Sequence, residues 1–555
     1  MLLTGNMIEA PDTRLDGADS GTGRREHRDL AMRWRERLPV VVGICALLFL
    51  SFRVFAFVHD DAFITYRYAW HARHGFGPVF NPGERTEGYS CPLYMLLTSF
   101  LMLLPGDVLI RAKLLGVAFA AGAIVAAWKL ARELELPAWA RAAVPLLIGA
   151  NPSVGLSAVD GMETSLQMLL VTLAALLFAR ERRTGRGWYS AVAMLAVVLN
   201  RAEGALYLAA AIPLLALDIR RRGFARRDAV WLGVTVIPTA LFFVWRHAYY
   251  GWWMPNTYYA KEMPLDAALD FGMGPAYVLR TLFLNLNGRV PLVAVSGLLW
   301  ICALAGAVSE RIRLRRALVL PLFVGVQLVV ALRAGGDWMQ GWRFMMAVVP
   351  LWTVLIVVGL SEPGEALAKM GRMAIGRAVG ICGAALVLVA CAWAAVEYHR
   401  PEDGLVSWAE RGWAMDARGL LRGYKMENTI LTADILNSRL PAGSTVAFSE
   451  VGAVPYYSPG LRWLDTYGLT DSGIAHLPSL NRFRTGVTGD YASADTAVGR
   501  ELLNRRPDYV IRWISADAPE TSILGGAYVP YFRAPVKPLF GTPGTYVVQV
   551  WKRSM

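Results

Sequence analysis

The chain has 555 residues, 55% of them hydrophobic, and a formal net charge of +13. Apolar runs recur from residue 39 to residue 396, more than any soluble core of this length would need, so the composition excludes an all-soluble protein and implies a polytopic helical membrane protein. The charge does not make it a nucleic-acid binder, because the arginines sit in short clusters between apolar runs, where orientation signals lie. Cys45, Cys302, Cys382 and Cys391 fall inside apolar runs and only Cys91 lies in a polar region, so neither a disulfide framework nor a thiolate metal site follows.

Residues 1–38 are polar and carry Arg24, Arg25, Arg28, Arg33, Arg35 and Arg37. They precede an apolar run too long for a signal-peptide core, and read as a cytoplasmic segment before a retained first helix. Met7 and Met32 would serve as starts as well as Met1. The first span, about 39–58, leads outward into a long loop, 59–107. Within it, Pro92 to Leu104 is apolar but only about 20 Å long as a helix against a hydrocarbon core of about 30 Å, and is expected at the interface.

Further spans are expected at roughly 108–128, 138–157, 163–179, 188–199, 205–219, 229–249, 290–308, 317–333, 344–360 and 377–396, about eleven in all. Alternate connections hold the basic clusters: Lys129, Arg132 and Arg141, then 180–186, 220–227, 311–316 and 369–377. The positive-inside rule puts these in the cytoplasm, and an odd span count sends residues 397–555 outside. Between Arg186 and Arg220 the chain is too short for two full crossings, which implies two short helices meeting at Asn200-Arg201-Ala202-Glu203-Gly204 below the outer surface. After residue 397 hydropathy falls, and strand-like runs at Thr445 to Phe448, Tyr509 to Arg512 and Tyr546 to Trp551 alternate with helical stretches, the pattern of an extracytoplasmic α/β domain.

Polar clusters then collect on one face. Asp60 and Asp61 stand where the first span emerges, and Arg67 follows seven residues after Asp60 on the same helical side. Adjacent acids before a helix are ordinary capping residues; equally, a carboxylate with a cation two turns away suits proton abstraction beside an anionic substrate. Glu163 has a helix-dipole explanation, Arg201 and Glu203 can close their own hairpin, and Lys261 and Arg343 among aromatics can be snorkelling cations. The same two cations, near a carboxylate-rich loop, equally make an anion site.

The order of the motifs is more specific than any one of them. Asp60-Asp61-Ala62-Phe63-Ile64 with Tyr66-Arg67-Tyr68, Phe80-Asn81-Pro82-Gly83-Glu84 with Glu87-Gly88-Tyr89, Gly161-Met162-Glu163-Thr164, Pro255-Asn256-Thr257 with Ala260-Lys261, and Gly335-Gly336-Asp337-Trp338 with Arg343-Phe344 succeed one another. In the tail follow Gly452-Ala453-Val454-Pro455-Tyr456-Tyr457 and Leu464-Asp465 with Gly468-Leu469. Over about residues 55–515 the chain resembles the GT-C superfamily of polyprenyl-phosphate-sugar glycosyltransferases, and within it the bacterial branch that holds the terminal arabinofuranosyltransferases of mycobacterial arabinan. It departs at Cys91, where Ser or Thr is expected, at Ala202 and at Gln340, where Pro is expected.

The resemblance implies a GT-C fold and transfer of a sugar, arabinofuranose by analogy, from a polyprenyl-phosphate donor in the membrane lipid to a glycan, lipid or protein acceptor. It implies Asp60 as base, with Asp61 orienting it or holding a divalent cation such as Mg or Mn. Lys261, Arg343, Arg67 and Arg201 become the donor-phosphate candidates, and Glu84, Glu87, Glu163, Glu203, Asn256 and Asp337 the sugar- or acceptor-binding candidates. A transporter or flippase would bury similar charges but should show internal repeats, and none is visible. A hydrolase would need a second placed carboxylate, for which Glu84 or Glu87 would serve.

Overall fold

Helix covers nearly all of the apolar runs, and the helix ends fall where the local residue chemistry puts them. The computed structural model describes residues 20–261, 265–269, 274–281, 290–336, 341–398, 414–415, 421–422, 424–477, 491–536 and 546–554. Asp107 caps Val108–Glu133 by accepting from the Leu109 N–H at 2.7 Å, and Gly185 ends Thr164–Thr184 in the left-handed conformation. Among the described residues Val108–Glu133, Thr164–Thr184 and Arg226–Tyr250 are long and apolar enough, by length and composition, to cross a membrane. Arg226–Tyr250 turns Ile237, Leu241 and Val244 outward, the surface that lipid would cover.

The interfacial segment forms as a short helix, Pro92–Leu101. One expected span is corrected: 138–157 is not continuous but splits into Ala138–Gly149 and Pro152–Ser157. Asn151 accepts from the Ser153 N–H at 2.9 Å, and Pro152, which lacks an N–H, can only start a helix there. The helical pair is present as Ser190–Asn200 and Gly204–Arg222, but only the first, with 11 residues, is short; the second runs to 19 because it takes in the basic residues to Arg222. Its turn is tight enough that a Cβ on Gly204 would fall 2.3 Å from the Val197 carbonyl oxygen.

Charge sorts to two ends. At one end the basic connections bind each other's elements: Arg182 holds Asp218 at 2.6 and 3.0 Å, Arg222 holds Asp228 at 2.6 and 2.9 Å, and Arg183 reaches Glu133 at 2.8 Å. Arg315 pairs with Glu135 and Arg311 with Glu365, which ties the 311–316 connection to its neighbours on both sides. All the remaining candidate residues within the described segments lie at the opposite end, beside the first loop and the C-terminal domain.

The C-terminal α/β domain is built on a five-stranded mixed sheet, in the order Arg462–Asp465, Thr445–Phe448, Tyr509–Ser515, Tyr546–Arg553, Tyr528–Val536. The first three strands run parallel, with Val446 opposite Trp463 and Tyr509; the last two pairings are antiparallel. Its inner face shares one apolar core with the first loop, in which Phe63, Tyr66, Phe80 and Tyr89 pack with Phe448, Val454 and Trp463. A second cluster around the helices forms the membrane core.

Candidate functional site

The helix Asp61–Arg73 begins where the chain leaves the first span, and Asp60 holds its N-cap position without capping it. Instead the Asp60 carboxylate accepts from the Gly452 and Ala453 backbone N–H groups, each at 3.0 Å. Gly452 is needed for this approach, because a Cβ there would lie 2.1 Å from the Asp60 carbonyl oxygen and 2.2 Å from its carboxylate. Two turns on, Arg67 is buried. Its guanidinium donates to the carbonyls of Phe80 at 2.8 Å, Leu461 at 3.4 Å and Pro455, and burial pushes its pKa down to about 9.

Glu84 and Asn256 serve the same seam. Glu84 accepts from Asn81 at 2.9 Å and pairs with Arg462, and Asn256 donates to the Gly468 and Leu469 carbonyls at 2.6 and 3.2 Å. Those carbonyls are presented by a turn that Asp465 organises by accepting from the Tyr467 and Thr470 N–H groups, each at 2.8 Å. The structure therefore places Asp60, Arg67, Glu84 and Asn256 as clamps between first loop, membrane helices and C-terminal domain.

Glu87 is almost wholly buried with Arg246, a residue the sequence reading did not single out, at 2.8 Å. Arg246 stacks over Phe242 at 4.6 Å and Phe243 at 5.1 Å. An Arg following the apolar stretch 229–245, far from the basic first turn of the same helix, was the available signal.

Burial pushes Glu87 up to about 7, with the Arg246 charge pulling it only part of the way back. Burial likewise pushes Asp160 and Asp465 up to about 7, against the N–H groups each accepts. A carboxyl raised above its unfolded value stabilises the fold fully below that value, about pH 4, and the contribution is lost as pH rises through about 7. The melting temperature of the purified protein is accordingly expected to fall from about pH 5 to about pH 8, and a rise over that window would refute the assignment.

The structure brings a second group of predicted residues into a narrow cleft. Glu163, at the start of Thr164–Thr184, pairs with Arg201, which also pairs with Glu203 on the hairpin turn. Arg343 enters from the other half of the chain, with one guanidinium nitrogen 3.6 Å from the Met162 sulfur. Thr164, Gln167, Gln327, Phe344 and Ala347 complete the walls. The self-paired hairpin is thus only half of the arrangement, since Arg201 also answers to Glu163.

Lys261 and Asp61 form a separate, half-exposed pair, with Nζ 3.9 Å from Oδ2. A line of side chains joins it to the cleft. Thr65 is one turn after Asp61 on the same helix face, and its hydroxyl meets the Cys91 sulfur at 3.4 Å. Cys91 in turn neighbours Glu163. Cys91 therefore occupies a contact position between the two charged groups. Asp337 lies outside the described residues.

A resident divalent cation finds little here. Mg or Mn is held by carboxylate and other oxygens, and among the described residues no group of three or more His, Cys, Asp or Glu gathers around Asp61 or elsewhere. Asp61 faces an ammonium, and Asp60 is engaged by backbone N–H groups. No chemical step is routed through a metal.

The architecture matches known structures. The chain is similar to the crystal structure of ArnT from Cupriavidus metallidurans in the apo state, with 15% identity and a TM-score of 0.50 over 94% of this chain and 98% of that one. The Archaeoglobus fulgidus oligosaccharyltransferase, tethered with an acceptor peptide containing the NVT sequon, aligns over 94% of this chain and 74% of its own, with 14% identity and a TM-score of 0.47. Residues 419–550 match a domain of unknown function (DUF8728). No curated protein matches the chain in sequence. The protein is a polytopic helical membrane protein with a C-terminal α/β domain, and it shares the fold of the ArnT structure.

Proposed function

We propose that this protein is a glycosyltransferase that moves a sugar from a polyprenyl-phosphate donor to an acceptor hydroxyl on the extracytoplasmic side of a bacterial inner membrane, with its N-terminus in the cytoplasm. The supporting observation is a cleft lined by Arg201, Arg343 and Glu203, with Glu163 paired to Arg201, and beside it the separate pair of Lys261 and Asp61, joined to Glu163 through Thr65 and Cys91. Cations from three separate segments suit a departing phosphate, and the carboxylates beside them suit sugar hydroxyls and keep the cations oriented. The sugar implied by the resemblance is arabinofuranose, and the acceptor a cell-envelope glycan, lipid or protein.

The chemistry is a single displacement. The bond from the anomeric carbon to the phosphate oxygen breaks with its electron pair passing to the phosphate, while the acceptor oxygen attacks from the opposite side, so the anomeric configuration inverts. The acceptor proton goes to Asp60, whose carboxylate is fixed by two backbone N–H groups. A phosphate leaves without protonation, so no general acid is required, unlike in a glycosidase. Asp61 holds Lys261 forward, and Lys261, Arg343 and Arg201 receive the phosphate charge.

Incubating the purified protein with a polyprenyl-phosphate sugar and an acceptor glycan tests the reading. Transfer with inversion is expected. Release of sugar to water alone would make it a hydrolase, and absence of turnover with transbilayer movement of the donor would make it a flippase. Lys261→Ala and Arg343→Ala should each weaken donor binding, and unchanged affinity in both variants would remove their phosphate role.

A further inference from the structure

We propose that Gln167 and Asn200 form a neutral recognition site for a hydroxyl of the donor's sugar, one helical turn deeper than the charged residues of the cleft. The assignment rests on the glycosyltransferase reading above and adds what the cleft selects. Asn200 Nδ2 donates to Gln167 Oε1 at 2.9 Å. That single bond leaves Gln167 Nε2 and Asn200 Oδ1 buried and without a hydrogen-bond partner among the described residues. Both side chains are buried, Gln167 to 2% and Asn200 to 0% exposure. Gln167 lines the cleft itself, four residues after Glu163 and so about 6 Å further along the same helix face, while Asn200 immediately precedes Arg201.

The other neutral groups of the cleft wall are spent. Gln327 accepts from the Tyr207 hydroxyl at 2.5 Å and donates to the Phe344 carbonyl, and the Thr164 hydroxyl donates to Asp160 at 3.0 Å. Buried polar groups in native proteins are almost always paired, so a donor and an acceptor left open side by side in a helical membrane protein need an occupant. The result does not depend on which way the two amides are turned. If both were reversed, Gln167 would donate to Asn200, and one donor and one acceptor would again be left over.

That pairing of valences specifies the ligand's chemistry. A phosphate offers only acceptors and would leave the open acceptor unanswered, and a prenyl chain answers neither. A hydroxyl is donor and acceptor at once, so one hydroxyl bridging the two amides, or two neighbouring hydroxyls, completes both. The charged layer at Glu163, Arg201 and Arg343 is then suited to the phosphate end of the donor, and the amide layer to its sugar.

The test uses the full-length protein in nanodiscs with two kinds of probe: polyprenyl phosphate without a sugar, and polyprenyl-phosphate-linked arabinofuranose, mannose and glucose. Gln167→Leu and Asn200→Leu should leave affinity for the sugar-free phosphate within about twofold and weaken the best sugar-bearing donor by about 5- to 100-fold. The Gln167→Leu/Asn200→Leu double variant should melt at or above the wild-type temperature, since replacing both members of an incompletely paired set by apolar groups is close to neutral. A lower melting temperature would assign the pair to structure and overturn the proposal. Unchanged affinity for every sugar-bearing donor would mean that only a water bridges the amides, and would overturn it equally. If the wild type binds sugar-free phosphate but prefers no sugar-bearing donor, the recognition site fails while the phosphate site stands. If it binds no polyprenyl phosphate at all, the transferase reading falls, and this assignment with it.

Discussion

Asp60→Asn will lower sugar transfer by about 10² to 10⁴, the range a positioned general base contributes. The geometry makes this variant more than a test of basicity. An Asn side chain keeps one acceptor but replaces the other by an NH₂ group, which would meet the Gly452 or Ala453 N–H head-on. Part of the loss is therefore expected to come from unseating the C-terminal domain, and a second variant separates the two. Gly452→Ala keeps the Asp60 carboxylate chemically intact but drives a Cβ against its carbonyl and carboxylate oxygens, so it measures the cost of displacing this contact with the basic group retained. If Asp60 is the base, Asp60→Asn will lose more transfer than Gly452→Ala at an equal or smaller fall in melting temperature. Parallel losses in both quantities would reduce Asp60 to a docking residue. Full transfer by Asp60→Asn would pass the base to Asp61, which carries the Lys261 pair.

The largest loss of stability is expected at Glu87 and Arg246. Both side chains are about 1% exposed, and their mutual contact at 2.8 Å is the pairing each depends on. Removing one partner from such a pair leaves an uncompensated buried charge, which costs about 3–5 kcal/mol, whereas replacing both by apolar groups of similar volume is often neutral. Arg246→Ala should thus destabilise the protein far more than the double variant Glu87→Leu/Arg246→Met does. Thermal unfolding of the purified protein in detergent measures the difference, and single and double variants of equal stability would show the pair to be hydrated rather than buried. By contrast Glu84 and Arg462 are both more than two-fifths exposed, and breaking that pair should cost no more than about 1 kcal/mol.

Hydropathy and charge alone carry the helical membrane architecture, the helical hairpin around Arg201 and the strands beginning at Thr445, Tyr509 and Tyr546, because each depends on neighbours within a few residues. The gathering of the basic connections at one end is legible for a related reason: lipid forbids scattered charge, so the pattern of arginines constrains where loops can be. The strands Arg462–Asp465 and Tyr528–Val536 were less visible. The first is four residues long, and the second carries Pro530 and Pro535 and is an edge strand.

The division of labour among the charged residues was not readable in the same way. Arg67 and Glu163 look alike in the chain, each an ionisable group in or beside a helix, yet Arg67 is consumed by carbonyls nearly 400 positions away while Glu163 pairs with Arg201 of the cleft. Such partners are chosen by how the C-terminal domain seats on the first loop, a contact with no local sequence trace. Gln167 escaped notice, and Asn200 was marked only as part of the hairpin turn, because neutral amides carry no charge to mark them, and their open valences exist only once two helices are set side by side. Membrane embedding and local periodicity thus follow from the order of residues, because solvent and near neighbours act on each segment separately; which polar group clamps, which faces the cleft and which stays open is decided by long-range packing, because a hydrogen bond is satisfied only by an atom within about 3 Å of it.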